Sequence, residues 1–147
     1  MSKLHELVNK KIAEKNATDC GTAMHKKLQY VFFDNGSFCG DSAICEKIST
    51  NPELCEYMSR ASRTEVPIAG VINGEFISRR IDRLYVKHET KTVVVVDYKT
   101  DLDRQSLREK YKKQLGEYKS LLTQIYPDYN IVCKILWTSD FTLENIL

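Results

Sequence analysis

NGEFISRRIDRLYVKHETKTVVVVDYKTD, residues 73–101, decides how the chain folds. Asn73-Gly74 is the strongest short hairpin signal a sequence offers, because both residues tolerate positive φ. It separates residues 64–72, rich in β-formers, from a long strand over 75–87. The polar turn His88-Glu89-Thr90-Lys91 then leads into a second apolar strand over 92–99. Three strands in succession, joined by short turns, predict an antiparallel meander.

Working outward, residues 104–125 predict a long helix. Tyr111, Leu115, Tyr118, Leu121, Leu122 and Ile125 recur at close to 3.6-residue spacing, and Pro127-Asp128 ends the run. Residues 130–138 read as a core strand and 141–146 as an edge strand. On the amino-terminal side, Leu4, Val8 and Ile12 mark a helix over 3–16, followed by a break at 16–21. Thr22 is the expected cap of a second helix to about residue 33, with Met24, His25, Leu28, Val31 and Phe32 on one stripe. Asp34-Asn35-Gly36 is a turn signal. Residues 42–49 and 52–59 read as short helices capped by Asp41 and Asn51. The expected fold is mixed α/β, with the order helices, three strands, helix, strand. The chain reads as one domain over 1–147, with a helix and linker over 1–20 and the core over 21–147.

A chain of 147 residues can bury a real core. It is 42% hydrophobic and 29% charged, ordinary for a globular domain. It has no apolar run long enough to span a bilayer, and its start lacks the apolar centre of a secretory signal. A cytoplasmic protein with no membrane partner is therefore expected. Cys20, Cys39, Cys45, Cys55 and Cys133 are odd in number and form no CxxC pair, which predicts reduced thiols and no zinc site. The net charge of +2 makes any basic surface local.

The chemistry gathers at strand ends. Side chains alternate along a strand, so Val93, Val95, Asp97 and Lys99 share a face. Asp82 shares parity with Leu84 and Val86, so it too stands among core residues, where a carboxylate costs free energy unless compensated. If the two strands pair, Asp82 and Asp97 approach each other. Adjacent carboxylates repel, and either one keeps a proton or a cation intervenes. A divalent cation such as Mg²⁺ suits oxygen ligands. Lys99 beside them can orient or deprotonate a water, or offset charge on a phosphate. His25 and Gln114 are two more polar groups on apolar helical stripes.

Gly21-Thr-Ala-Met-His25, Ile81-Asp82-Arg83, Asp97-Tyr98-Lys99-Thr100-Asp101 and Tyr111-x-x-Gln114-Leu115-x-x-Tyr118 occur in that order. Together they resemble the RecB-like branch of the PD-(D/E)XK nucleases, most closely the carboxy-terminal nuclease domain of AddA/RecB-type helicase–nucleases. The resemblance runs from about Gly21 to the end. It implies a restriction-endonuclease-like α-β-β-β-α-β core, a central mixed sheet flanked by helices, with extra amino-terminal helices. It implies that His25, Asp82, Asp97 and the backbone carbonyl of Tyr98 ligate Mg²⁺ or Mn²⁺. Asp82, Asp97 and Lys99 would be catalytic, with Lys99 the catalytic lysine. Gln114 and Tyr118 match a QxxxY motif that supports the site and helps hold DNA, with Tyr111 beside them. Glu65 matches an acidic position that often opens the first strand.

The chain departs from parts of that pattern. Only Cys133 follows QxxxY, so no iron–sulfur cluster is expected. No GxxxxGK[ST] loop occurs, so no nucleotide is expected to bind. The implied activity is a Mg²⁺/Mn²⁺-dependent deoxyribonuclease, an exonuclease of double-strand break repair and recombination. It would act on single- or double-stranded DNA ends without sequence preference, beside a helicase motor in cis or in a partner subunit. The chain is either a free-standing nuclease or the tail of a longer one. Arg104, Arg108 and Lys112 are spaced as one basic helical face, and Arg79, Arg80 and Arg83 flank Asp82, both as candidate phosphate contacts. The alternative is a catalytically silent DNA-binding or structural module of a helicase complex.

Overall fold

The structure, a computed structural model, describes residues 3–147, apart from the side chains of residues 13–20. The reading of Cys20 lies outside the described residues. Cys39, Cys45, Cys55 and Cys133 are free thiols.

The meander forms as the turn signals require. β3 (Arg63–Ile72), β4 (Glu75–Lys87) and β5 (Thr92–Lys99) pair antiparallel in succession. Asn73 and Gly74 turn the first hairpin at φ 50° and 81°, the left-handed geometry of a type I′ turn. α4 (Arg104–Ile125) starts at Asp103, whose side chain accepts from the Ser106 N–H. It crosses back so that β6 (Asn130–Trp137) lies parallel to β5, and β7 (Thr142–Asn145) closes the far edge antiparallel to β6. The result is a five-stranded mixed sheet in the order β3-β4-β5-β6-β7.

Both faces of β5 are buried, which explains its four consecutive valines. Val93 and Val95 pack under α4 with Ile81, Leu84, Leu115, Tyr118 and Leu122. Val94, Val96 and Tyr98 pack on the opposite face against the other helices. Alternation fails once, in β4. Ile81 and Leu84 both lie in the α4-side core, so Asp82 sits where the strand changes face, not on a regular core face as its parity with Leu84 suggests. Ile125, expected on the buried stripe of α4, is 52% exposed.

The amino-terminal half departs most from expectation. Residues 3–16 and 22–28 belong to one helix, α1 (Lys3–Leu28), with no break at 16–21, so the boundary expected at residue 20 falls inside it. Apart from Ala17, the residues of that stretch are poor helix formers, but interior penalties of at most about 1 kcal/mol apiece do not stop a helix once it is nucleated. The second half also stops early. Residues 32–33 enter β1 (Phe32–Asp34), which pairs with β2 (Ser37–Cys39) across the Asn35-Gly36 turn. α2 (Ser42–Ser49) and α3 (Pro52–Tyr57) follow, capped by Asp41 and Asn51. Among the described residues no helix is long and apolar enough to cross a membrane.

Candidate metal centre and active site

The site lies where the sheet opens. β4 and β5 pair from Lys87↔Thr92 to Arg83↔Val96 and no further. On the other side of β4, pairing with β3 skips the position between Thr64↔Arg83 and Val66↔Ile81, where Glu65 stands opposite Asp82. Glu65 adopts φ 54°, a costly conformation for a non-glycine residue inside a strand. Asp82 is thus released from the ladder on both sides. Its Oδ2 turns towards β5 and accepts the Tyr98 N–H at 2.8 Å.

His25 approaches from α1. A carbonyl can only accept, so the 2.8 Å contact between Nδ1 and the Gly21 oxygen makes Nδ1 the donor. Nε2 then faces the strand ends, 3.3 Å from Asp82 Oδ2. The GxxxH spacing is one helical turn with its carbonyl acceptor. Gly21 also packs on the segment after Lys99, where a Cβ added to it would stand 3.0 Å from Thr100 Oγ1.

Asp97 and Lys99 point to the α4 face, as alternation requires. Asp97 is 3% exposed. Its Oδ2 lies 2.9 Å from Lys99 Nζ as an ion pair. Lys99 Nζ donates to Gln114 Oε1 at 3.0 Å and stands 4.4 Å from the Tyr111 ring centre. Because an ammonium only donates, Gln114 must present its oxygen there, leaving Nε2 to donate to Tyr118 Oη at 2.9 Å. Tyr118 in turn reaches the Arg80 carbonyl at 3.4 Å, and Tyr111 donates to Asp101. The QxxxY spacing therefore builds an oriented chain from α4 to Lys99.

The electrostatics separate the two carboxyl groups. Burial pushes Asp97 up, and the Asp82 charge adds to it, to about 7. Burial also raises Asp82, but the His25 imidazole and the Tyr98 N–H outweigh it and hold Asp82 below its ordinary value. The hydrogen bond to Asp82 lifts His25 to about 9 against the opposing effect of burial. Burial and the nearby Asp97 keep the Tyr118 phenol protonated, at about 12.

Among the described residues, no three His, Cys, Asp or Glu side chains are already gathered as a ligand set. The donor chemistry nevertheless fits a hard divalent cation. A buried carboxylate stands against the Lys99 ammonium, a second carboxylate perturbs it, and an imidazole is fixed through Nδ1 with Nε2 turned inward. The Lys99 carbonyl is occupied by the Thr138 N–H at 2.8 Å, so alternation turns the Tyr98 carbonyl to the β4 side, beside Asp82.

The expected basic surfaces differ from those observed. Arg83 is wholly buried, so its guanidinium does not face solvent. Its guanidinium donates to Tyr98 Oη, Ser62 Oγ and the carbonyls of Leu28 and Val31 at 2.7–2.9 Å, and lies 4.8 Å from the Phe32 ring centre. It clasps the last turn of α1, and so His25, to the strand ends. Arg104 and Arg108 pair with Asp140 and Glu144 near β7, while Lys112 of that face is exposed with no ion-pair partner among the described residues. Arg80 lies 3.8 Å from Glu65. Arg79, named in the sequence as a candidate phosphate contact, does line a cleft beside Lys99, but sequence reasoning missed two further cations there, Lys110 and Lys113. Placing them needs the phase of α4 against β4, which helical spacing alone does not supply.

Comparison with protein-family models and with curated proteins gives no match to this chain.

Proposed function

We propose that the protein is a Mg²⁺- or Mn²⁺-dependent deoxyribonuclease of restriction-endonuclease-like topology. The observation that carries this reading is the meeting of four separated segments at one sheet opening, with the Asp97 carboxylate buried against the Lys99 ammonium. The order α1, β3, β4, β5, α4, β6 agrees with the α-β-β-β-α-β core. Support for DNA as substrate, and for exonuclease action in break repair beside a helicase motor, comes from the resemblance of the four motifs.

When bound, a divalent cation would supply an activated water and offset charge on the phosphate. His25, Asp82, Asp97 and the Tyr98 carbonyl would hold it. Lys99 has three N–H groups, one committed to Gln114 and one side held by Asp97. The remaining donor serves a non-bridging phosphoryl oxygen or the attacking water. Gln114 and Tyr118 fix the direction of that donor, and Tyr111 shields the ammonium from bulk solvent.

The test is incubation of the purified chain with end-labelled single- and double-stranded DNA in Mg²⁺, Mn²⁺ or EDTA. Cleavage with metal, none in EDTA, and none by Lys99→Gln is the expected result. Binding without cleavage in every metal would leave a silent DNA-binding module instead.

A further inference from the structure

Beside Lys99 a cleft of about 490 Å³ opens between β4 and the middle of α4. Arg79 lines it from β4, and Lys110, Lys113, Gln114 and Glu117 line it from α4. Lys110 and Lys113 are exposed and have no ion-pair partner among the described residues. Glu117 is the one carboxylate in the lining, and Arg79 Nε holds it at 2.8 Å. The cleft therefore presents three cationic side chains besides Lys99 against one acid. The arginines at the start of α4 are different, because each is neutralised by its own carboxylate.

We infer that this cleft seats a phosphodiester group of the nucleic-acid strand next to the one at Lys99, and that Glu117 is its specificity determinant. The inference rests on the nuclease reading only for the identity of the group being cut. Lys110 and Lys113 sit at i and i+3 on one face of α4, and Arg79 faces them across the opening. A phosphate entering between them meets two free ammonium groups and a guanidinium already spanned by Glu117. Arg79 can bind it fully only by leaving Glu117, so the carboxylate lowers affinity for every polyanion and favours a strand held at several points. An apolar ligand gains nothing from such a lining. A carboxylate ligand would meet the same repulsion without a second anchored group at Lys99.

The experiment is binding of a fluorescein-labelled single-stranded oligonucleotide across a salt series in EDTA, where only the chain's own cations count. Each phosphate contact on a single strand contributes about 0.7 to the salt slope. Lys110→Gln with Lys113→Gln removes the one phosphate contact of the cleft and should flatten the slope by about 0.7. Glu117→Gln should bind several-fold tighter at low salt, and Arg79→Gln should erase that gain. All four side chains are at least partly exposed, so folding is not at stake. A double variant with the wild-type slope, a Glu117→Gln protein that binds no tighter, or a slope that responds to Lys112→Gln instead overturns the inference. The two readings fail separately. A wild type that cuts DNA while the slopes stay fixed sinks the cleft alone. A wild type that never cuts but shows these slopes sinks the nuclease reading alone.

Discussion

Gly21 of α1 and Thr100 at the exit of β5 touch so closely that a single added methyl group would lie 3.0 Å from the threonine hydroxyl. The first and third motifs of the chain are thus in direct contact, and one turn of helix fixes the distance from that contact to His25.

Gly21→Ala should therefore separate stability from function. Alanine favours a helix interior over glycine by about 1 kcal/mol, which offsets much of the tight contact. Melting temperature should stay within a few degrees of wild type, while cleavage falls at least tenfold as α1 shifts and carries His25 away. Thr100→Ala in the same background should restore part of the rate. Wild-type turnover by Gly21→Ala would remove the contact from the argument.

Asp97→Asn should abolish cleavage and stabilise the metal-free protein at pH 8. An acid whose folded-state pKa is raised contributes stability that is full below its unfolded value and is lost as pH rises through the folded value. For Asp97 the loss occurs between about 4 and about 7. At pH 8 the wild type has lost it, while His25, raised to about 9, is still mostly charged. Urea denaturation in EDTA should show a gain on the order of 2 kcal/mol at pH 8 that vanishes near pH 4. A variant less stable than wild type at pH 8 would contradict the direction of the shift.

The chain Lys99–Gln114–Tyr118 predicts a gradient of effects. Gln114→Ala removes the acceptor that orients the ammonium, so kcat should fall roughly 10- to 100-fold. Tyr118→Phe removes only the group that orients Gln114, and it should cost less. Neither should change KM for DNA by more than a few-fold, because neither carries charge. Equal losses in KM and none in kcat would make these residues binding contacts.

Arg83 should be a stability residue. Its guanidinium satisfies four acceptors in a fully buried setting, and hydrogen bonds to charged groups contribute about 1.5–3 kcal/mol each. Arg83→Lys keeps the charge but not the planar fork, so a loss of about 2 kcal/mol or more is expected in urea. DNA affinity of the folded variant, read from the same salt series, should match wild type. A weakened affinity with unchanged stability would return Arg83 to the phosphate-contact role that its place beside Asp82 suggests in sequence.

What could be read in advance was local. β4, β5 and α4 follow from turn residues and periodicity, and alternation alone puts Asp97 and Lys99 on the α4 face. The rest needed partners distant in sequence. Arg83 looks like a surface cation until the end of α1 supplies its carbonyls, and Arg104 and Arg108 look free until β7 brings Glu144 and the turn before it brings Asp140. The continuity of α1 was hidden because residues 16–21, Ala17 apart, are weak helix formers whose penalties are small beside cooperativity. The left-handed backbone of Glu65 has no glycine to announce it. It is legible only from the pairing that Asp82 forgoes.

The clasp of Arg83 anchors the last turn of α1 to the sheet. Leu4, Leu7, Val8 and Ile12, in its first three turns, stand 47–72% exposed, whereas Leu28 is fully buried and its carbonyl is held by Arg83. Amide protons along α1 should therefore exchange with solvent on a steep gradient. Those of the first turns should exchange through low-energy local opening, and those around His25 only when the sheet itself opens. A helix locked at its inner end keeps the histidine in register with the strands whatever the outer turns are doing.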